Sequence, residues 1–367
     1  MKKTIIFLII VLLTTGVSCK SSKTTKKQTK IQNFEDEYSD VDVETDTSSK
    51  TTSESKGSDP VTPNKAQGGD SKIDIPLVED NRIIVACWGD SITEGMDMHS
   101  DSYPSKLKEM LGTNYNVLNA GDGGETSRTI AARQGGLKVY TSLPIIFGQN
   151  SKSTFISNEH QGIFVTKDNN PVTLTSLLGN AISVNKVKIG GKEYTLEFDK
   201  FVWSPRSFEL YLTRTENISQ RLEIPKGTEV VFGGTDVSKK GGIDIYMMGA
   251  NGGYSNVADY ISQLKAMIAH HGNDKYIVIK PYWTDMSGLE EAFGNHLIDF
   301  KKLSQQNGIA FEGLTPTEED NKAAVRNQVP ASLHYQNDAS NVHLNKYGYH
   351  FLAHCIYEKG KALGYFK

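Results

Sequence analysis

Cysteine is scarce in this chain: Cys19, Cys87 and Cys355 are its 3 cysteines among 367 residues. So few thiols exclude a disulfide-stapled scaffold and a cysteine-rich metal site. An excess of basic charge is also missing. Lys+Arg number 40 against 43 Asp+Glu, a formal net charge of -3, so no overall basic footprint points to nucleic acid. Beyond the N-terminus no stretch approaches the ~20 apolar residues that a membrane-spanning helix needs. What is present is globular: 37% hydrophobic, 23% charged, with Gly 33 and Pro 11. That composition excludes a fibrous or wholly disordered chain. The length suffices for a substantial core, since a ~300-residue domain buries about 75% of its unfolded surface.

The first residues read as an export signal. Met1-Lys2-Lys3 is a positive start, and Thr4 to Leu13 is an apolar run of signal-peptide length. Gly16-Val17-Ser18-Cys19 resembles a bacterial lipoprotein lipobox, with Gly16 where Leu is usual. The resemblance implies a signal peptide over 1–18, acylation of Cys19, and a protein anchored in the cell envelope. Several acyl chains hold firmly, at about 0.8 kcal/mol per buried CH₂. From Lys20 to about Lys72, Ser, Thr, Lys, Asp and Glu dominate. Such a segment cannot bury enough apolar surface to offset its ordering entropy, so residues 19–76 are expected to be a disordered tether.

From residue 77 the chain alternates strand and helix patterns. Ile83-Ile84-Val85-Ala86-Cys87 reads as a buried parallel strand. Tyr103 to Leu111 reads as a helix with Pro104 in its first turn. Tyr115 to Ala120 is a second strand, and Thr126 to Gln134 a helix stopped by Gly135-Gly136. A third strand runs from Ile243 to Met248. An amphipathic helix spans Val257 to Ile268, and Tyr276 to Ile279 is a fourth strand. Leu289, Ala292, Phe293, Leu297 and Phe300 have the spacing of one helix. Ile309-Ala310-Phe311 then reads as the fifth strand, and Tyr347 to Leu363 as the last helix. The alternation predicts an α/β fold with a parallel five-stranded sheet and helices on both faces. Residues 141–239 break the rhythm with short β-like runs, among them Ile145-Ile146-Phe147 and Glu229-Val230-Val231-Phe232. This stretch is too long for a structureless loop and predicts an inserted all-β subdomain, dividing the main domain into 77–140 and 240–367. Trp203, Phe208 and Tyr211 are expected in the small β core of this insert, with stacking on sugars as the alternative.

The residues able to do chemistry lie where these strands end. Gly89-Asp90-Ser91 follows the first strand. Ligands of open parallel sheets bind outside the carboxyl ends of the strands, so Ser91 stands where a nucleophile belongs. Asp90-Ser91 as a plain helix cap is the competing reading. Gly123-Gly124 follows the second strand, and Gly249-Ala250-Asn251-Gly252 follows the third and offers an amide donor. His343 precedes the last helix. His99, near the nucleophile loop, reads as an exposed loop residue. The other histidines, including His160, His296, His334, His350 and His354, have no ligand-like spacing with carboxylates, so neither a metal nor a cofactor is expected. Cys87 and Cys355 read as small buried hydrophobes.

Ser, Gly, Asn and His in this order resemble the GDSL/SGNH hydrolase family. The matching segments are Gly89-Asp90-Ser91-Ile92-Thr93-Glu94-Gly95 and His343-Leu344-Asn345 with Gly348-Tyr349, and the likeness spans about 82–136 and 242–363. The resemblance implies a three-layer α/β/α flavodoxin-like fold and a serine esterase. It makes Ser91 the nucleophile and His343 the base, with the Ser91 and Gly124 N–H groups and the Asn251 amide as oxyanion donors. The family's Asp three residues before His is Ser340 here, so Asp338 is the expected orienting acid if the loop is longer, and otherwise the enzyme is a dyad. The implied substrate is an O-acyl ester, foremost O-acetyl, on carbohydrate or cell-wall polymer. A lipase or lysophospholipase, a sugar O-acyltransferase, and a glycan-binding lipoprotein without activity are the alternatives.

Overall fold

The computed structural model describes residues 81–96, 98–153, 157–158, 163–174, 186–203, 206–238 and 242–367. The signal-like run, Cys19, the tether and His160 lie outside the described residues, as do the side chains of His99, Trp203 and Phe208.

The fold is mixed α/β around a five-stranded parallel sheet. Its strands are β1 (Ile83–Gly89), β2 (Tyr115–Gly121), β3 (Ile243–Met247), β4 (Tyr276–Ile279) and β5 (Leu297–Ile298), in the order β5-β4-β3-β1-β2. Every neighbouring pair is parallel, and Gly89 is in register with both Gly121 and Met247. That register brings the carboxyl ends of β1, β2 and β3 level with one another.

The helices that matter for the site are α1 (Ser91–Glu94), α2 (Tyr103–Leu111), α3 (Ser127–Gln134), α4 (Val257–His271) and α5 (Lys346–Ala362). Successive strand residues face opposite sides of the sheet. On one side Val85, Cys87, Ile245 and Met247 pack with Leu107 of α2 and Leu352 of α5. On the other, Ala86, Trp88 and Tyr246 pack with Ile130 of α3 and Leu264 of α4. Cys87 and Cys355 are free and buried, and burial pushes the Cys355 thiol up to about 12. A helix as short as α2 is marginal alone. Burial of Leu107, worth ~1.5–3 kcal/mol, stabilises it against the sheet.

Between α3 and β3 the chain forms a second, wholly antiparallel sheet of eight strands from residues 139–232. Lys186–Ile189 and Glu229–Phe232 alternate exposed and buried residues, as strands with one wet face do. Its core joins Phe147, Phe164, Leu196, Leu212 and Phe232, with Phe164 and Phe232 edge to face at 5.7 Å. Helix α3 lies between the two cores: Ile130 and Ala131 join the parallel sheet and Ala132 the antiparallel one. The small residues Ala131 and Ala132 suit a helix packed on both sides.

The structure corrects the sequence reading at the fifth strand. Helix Leu289–Phe293 ends at Gly294, which has φ 51°, and the chain turns into β5. Leu297 and Ile298 are buried as strand residues, so the helical spacing of Leu297 with Leu289 and Phe293 is coincidental. Ile309–Phe311 continues a helical run that starts at Phe300. Gly308 does not stop that run; a Cβ there would sit 2.7 Å from Leu333 Cδ1, so glycine admits close packing.

Candidate active site

Strand β1 carries the chain to Ser91, the first residue of α1. A Cβ at Gly89 would meet the Met247 carbonyl at 2.2 Å and Thr93 Oγ1 at 2.0 Å, so only glycine lets α1 fold back this tightly onto the strand end. Asp90 is fully buried and caps α1. Its Oδ1 accepts from the Ile92 N–H at 3.1 Å, and its Oδ2 accepts from the Ala250 N–H at 3.1 Å. The cap reading is thus correct and incomplete, because the same carboxylate ties the end of β1 to the end of β3. Burial pushes the Asp90 pKa up to about 6, against the opposing pull of these N–H bonds.

His343 reaches Ser91 across the sheet edge, with its Nε2 2.9 Å from Ser91 Oγ. Ser91 is 7% exposed, so little of the hydroxyl side chain is open to solvent. The His343 loop is held by its backbone. The Tyr335 N–H donates to the His343 carbonyl at 3.0 Å, and Tyr282 Oη donates to the Val342 carbonyl at 2.5 Å. Asn345 Nδ2 donates to the Ser332 and His334 carbonyls at 2.8 and 2.9 Å, while its Oδ1 caps α5 through Tyr347 and Gly348.

Asp338 does not come to His343, which corrects the expected triad. It is exposed, and its carboxylate accepts the Ser340 N–H at 2.8 Å and the Ser340 hydroxyl at 2.7 and 2.8 Å. The Ser340 hydrogen bonds, helped by His334, hold its carboxyl below the usual aspartate range. Ser340 therefore folds Asp338 into a local turn of its own.

The oxyanion candidates lie just beyond the carboxyl ends of β1, β2 and β3. Gly124 has φ 79°, a conformation that favours glycine, and its N–H has no acceptor among the described residues. A Cβ at neighbouring Gly123 would be 3.8 Å from Ser91 Cβ, which places this loop against the nucleophile. As the first helical residue, Ser91 has an N–H with no intrahelical acceptor. Asn251 Nδ2 donates to the Glu125 carbonyl at 3.1 Å. An amide carries two N–H groups, so one anchors the side chain and the second is available to a ligand.

A buried ion pair escaped the sequence reading. Arg133 on α3 donates Nε to both Glu125 oxygens at 2.9 and 2.8 Å and Nη2 to Oε2 at 2.6 Å. Its Nη2 also reaches the Ala120 carbonyl at 2.9 Å. Both side chains are almost wholly buried, and burial pushes the Glu125 pKa up although the Arg133 charge pulls it back. Glu125 follows Gly124 in the chain and its own carbonyl anchors Asn251, so the ion pair bears on two oxyanion candidates at once. The available signal was two opposite charges eight positions apart, about two helical turns, with Arg128 between them as a competing cation.

Among the described residues no cluster of three or more His, Cys, Asp or Glu is arranged to hold a metal, and no helix is long and apolar enough to cross a membrane. No family model, curated protein or solved structure matches the chain.

Proposed function

We propose that this protein is a serine ester hydrolase of the GDSL/SGNH type, with the parallel sheet as a flavodoxin-like α/β/α core. In this reading Cys19 anchors it by lipid in a bacterial envelope, with its substrate an acylated carbohydrate or cell-wall polymer and residues 141–239 an inserted β subdomain bordering the site. The observation that carries the reading is Ser91 Oγ at 2.9 Å from His343 Nε2, beside the N–H donors of Ser91 and Gly124.

The chemistry follows from that geometry. Ser91 Oγ attacks the ester carbonyl and His343 takes its proton. The carbonyl oxygen gains negative charge and accepts hydrogen bonds donated by the Ser91 N–H, the Gly124 N–H and the second Asn251 N–H. His343 returns the proton to the departing alcohol, leaving an acyl-Ser91. Water, deprotonated by His343, then releases the acid. Asp338 has no part in this sequence, and the reading is a Ser91–His343 dyad.

The test is hydrolysis of 4-nitrophenyl acetate and of an acetylated polysaccharide by the full chain and by Ser91→Ala. Loss of both activities in a variant with wild-type thermal stability supports the reading. Equal turnover in the variant removes it.

A further inference from the structure

We propose that a cavity beside the His343 loop holds an acidic sugar unit of the ester substrate, with Arg326 and Lys301 binding its carboxylate, His334 at its base and Trp283 along its wall. This deepens the esterase reading and rests on it. The cavity has a volume of about 370 Å³, and Val342, the residue before His343, lines it. Tyr282 and Trp283 enter the wall just beyond the carboxyl end of β4, the edge on which Ser91 also lies. A ligand here therefore sits at the same sheet edge as the reacting pair, as ligands of open parallel sheets do.

The lining is chemically specific. Arg326 uses Nε on Gln328 Oε1 at 2.7 Å, which leaves its terminal nitrogens for a ligand. Neither Arg326 nor Lys301 makes an ion pair among the described residues. Asp285 is the single carboxylate in the lining, and Asp338, held by Ser340, lies near enough for Arg326 to lower its pKa. The two cations still outnumber the lining acid. An arginine fork suits a carboxylate bidentately, and a lysine adds a point charge.

His334 lines the base of the cavity and is 2% exposed. Burial pushes its pKa down, against the backbone of Asn341, His343 and Val329 within reach of its ring. A neutral imidazole offers one donor and one acceptor, the pattern a sugar hydroxyl matches. The indole of Trp283, edge to face with Tyr282 at 4.9 Å, offers a flat apolar face to a pyranose ring.

The experiment compares the full chain on the methyl glycosides of an O-acetylated glucuronic acid and of the matching O-acetylated glucose. Wild type is expected to favour the acid in kcat/KM. The double variant Arg326→Ala/Lys301→Ala should lower that acid-to-neutral ratio at least about tenfold, mainly through KM, with Arg326→Lys intermediate. A ratio near one in wild type, or one unchanged in the double variant, overturns the proposal. Binding of sodium glucuronate to Ser91→Ala by calorimetry, with and without the double substitution, tests the cavity without turnover. Binding lost with the cations supports it even where no ester is cleaved, a result that would remove the esterase reading alone. Absence of binding removes the cavity alone.

Discussion

The nucleophile and the base are held in place by different means. Around Ser91 the positioning is ionic and buried: Asp90 ties β1 to β3, and Glu125 with Arg133 fixes the loop after β2. Around His343 the contacts to the loop are neutral, through Tyr335, Tyr282 and Asn345. Asp338 is exposed and turned to Ser340, and Asp320 acts one step further out, on the Ser332 whose carbonyl anchors Asn345. Substituting Asp338 should therefore leave the base side nearly intact, whereas substituting Asp90 or Glu125 should damage the nucleophile side.

The largest effect should come from the point where the two sides meet. His343→Ala leaves Ser91 without a base, and turnover should fall on the order of 10⁶-fold, read as kcat on 4-nitrophenyl acetate. Next comes Glu125→Ala, which strands the buried Arg133 charge. Loss of one partner of a buried pair costs about 3–5 kcal/mol, visible in urea unfolding. Its partner test on the base side is Asp338→Ala, which should shift stability by less than about 1 kcal/mol, as exposed contacts do.

Asn251→Ala removes one proposed oxyanion donor and should lower kcat by about 10²–10³ with KM little changed. Asp90 adds a pH test. Its folded pKa of about 6 lies above the usual 3.8 for an aspartate. Between these values the folded chain holds more protons than the unfolded one, so stability from this group falls as pH rises through about 4 to 6. Asp90→Asn should remove up to about 3 kcal/mol of that pH dependence, read as the difference between wild-type and variant unfolding curves. The smallest expected effect on turnover is that of Asp338→Asn, under about tenfold, or ~1.4 kcal/mol of barrier. A loss of about 10⁴, the size expected of a true orienting acid, would break the contrast between the two sides.

Much of the scaffold was legible because local patterns were strong. The run Ile83 to Cys87, the helix Tyr103–Leu111 and the strand Tyr276–Ile279 have unambiguous periods and clear stops. Ser91 and His343 were legible as strand-end and helix-start residues, though 252 positions separate them. The fifth strand was not, because Leu297-Ile298 is too short to show a period and falls in phase with the helix before it. Asp338 misled because sequence distance says nothing of where a turn points its carboxylate. The Asp90 link to Ala250 spans 160 positions, so no local pattern could announce it.

The most direct measurement is covalent labelling of the full chain with a fluorophosphonate, followed by peptide mass spectrometry. The account predicts a single adduct on Ser91, formed rapidly in wild type and in Asp338→Asn and very slowly in His343→Ala. An adduct on another serine, no adduct, or a His343→Ala rate equal to wild type would contradict the Ser91–His343 dyad.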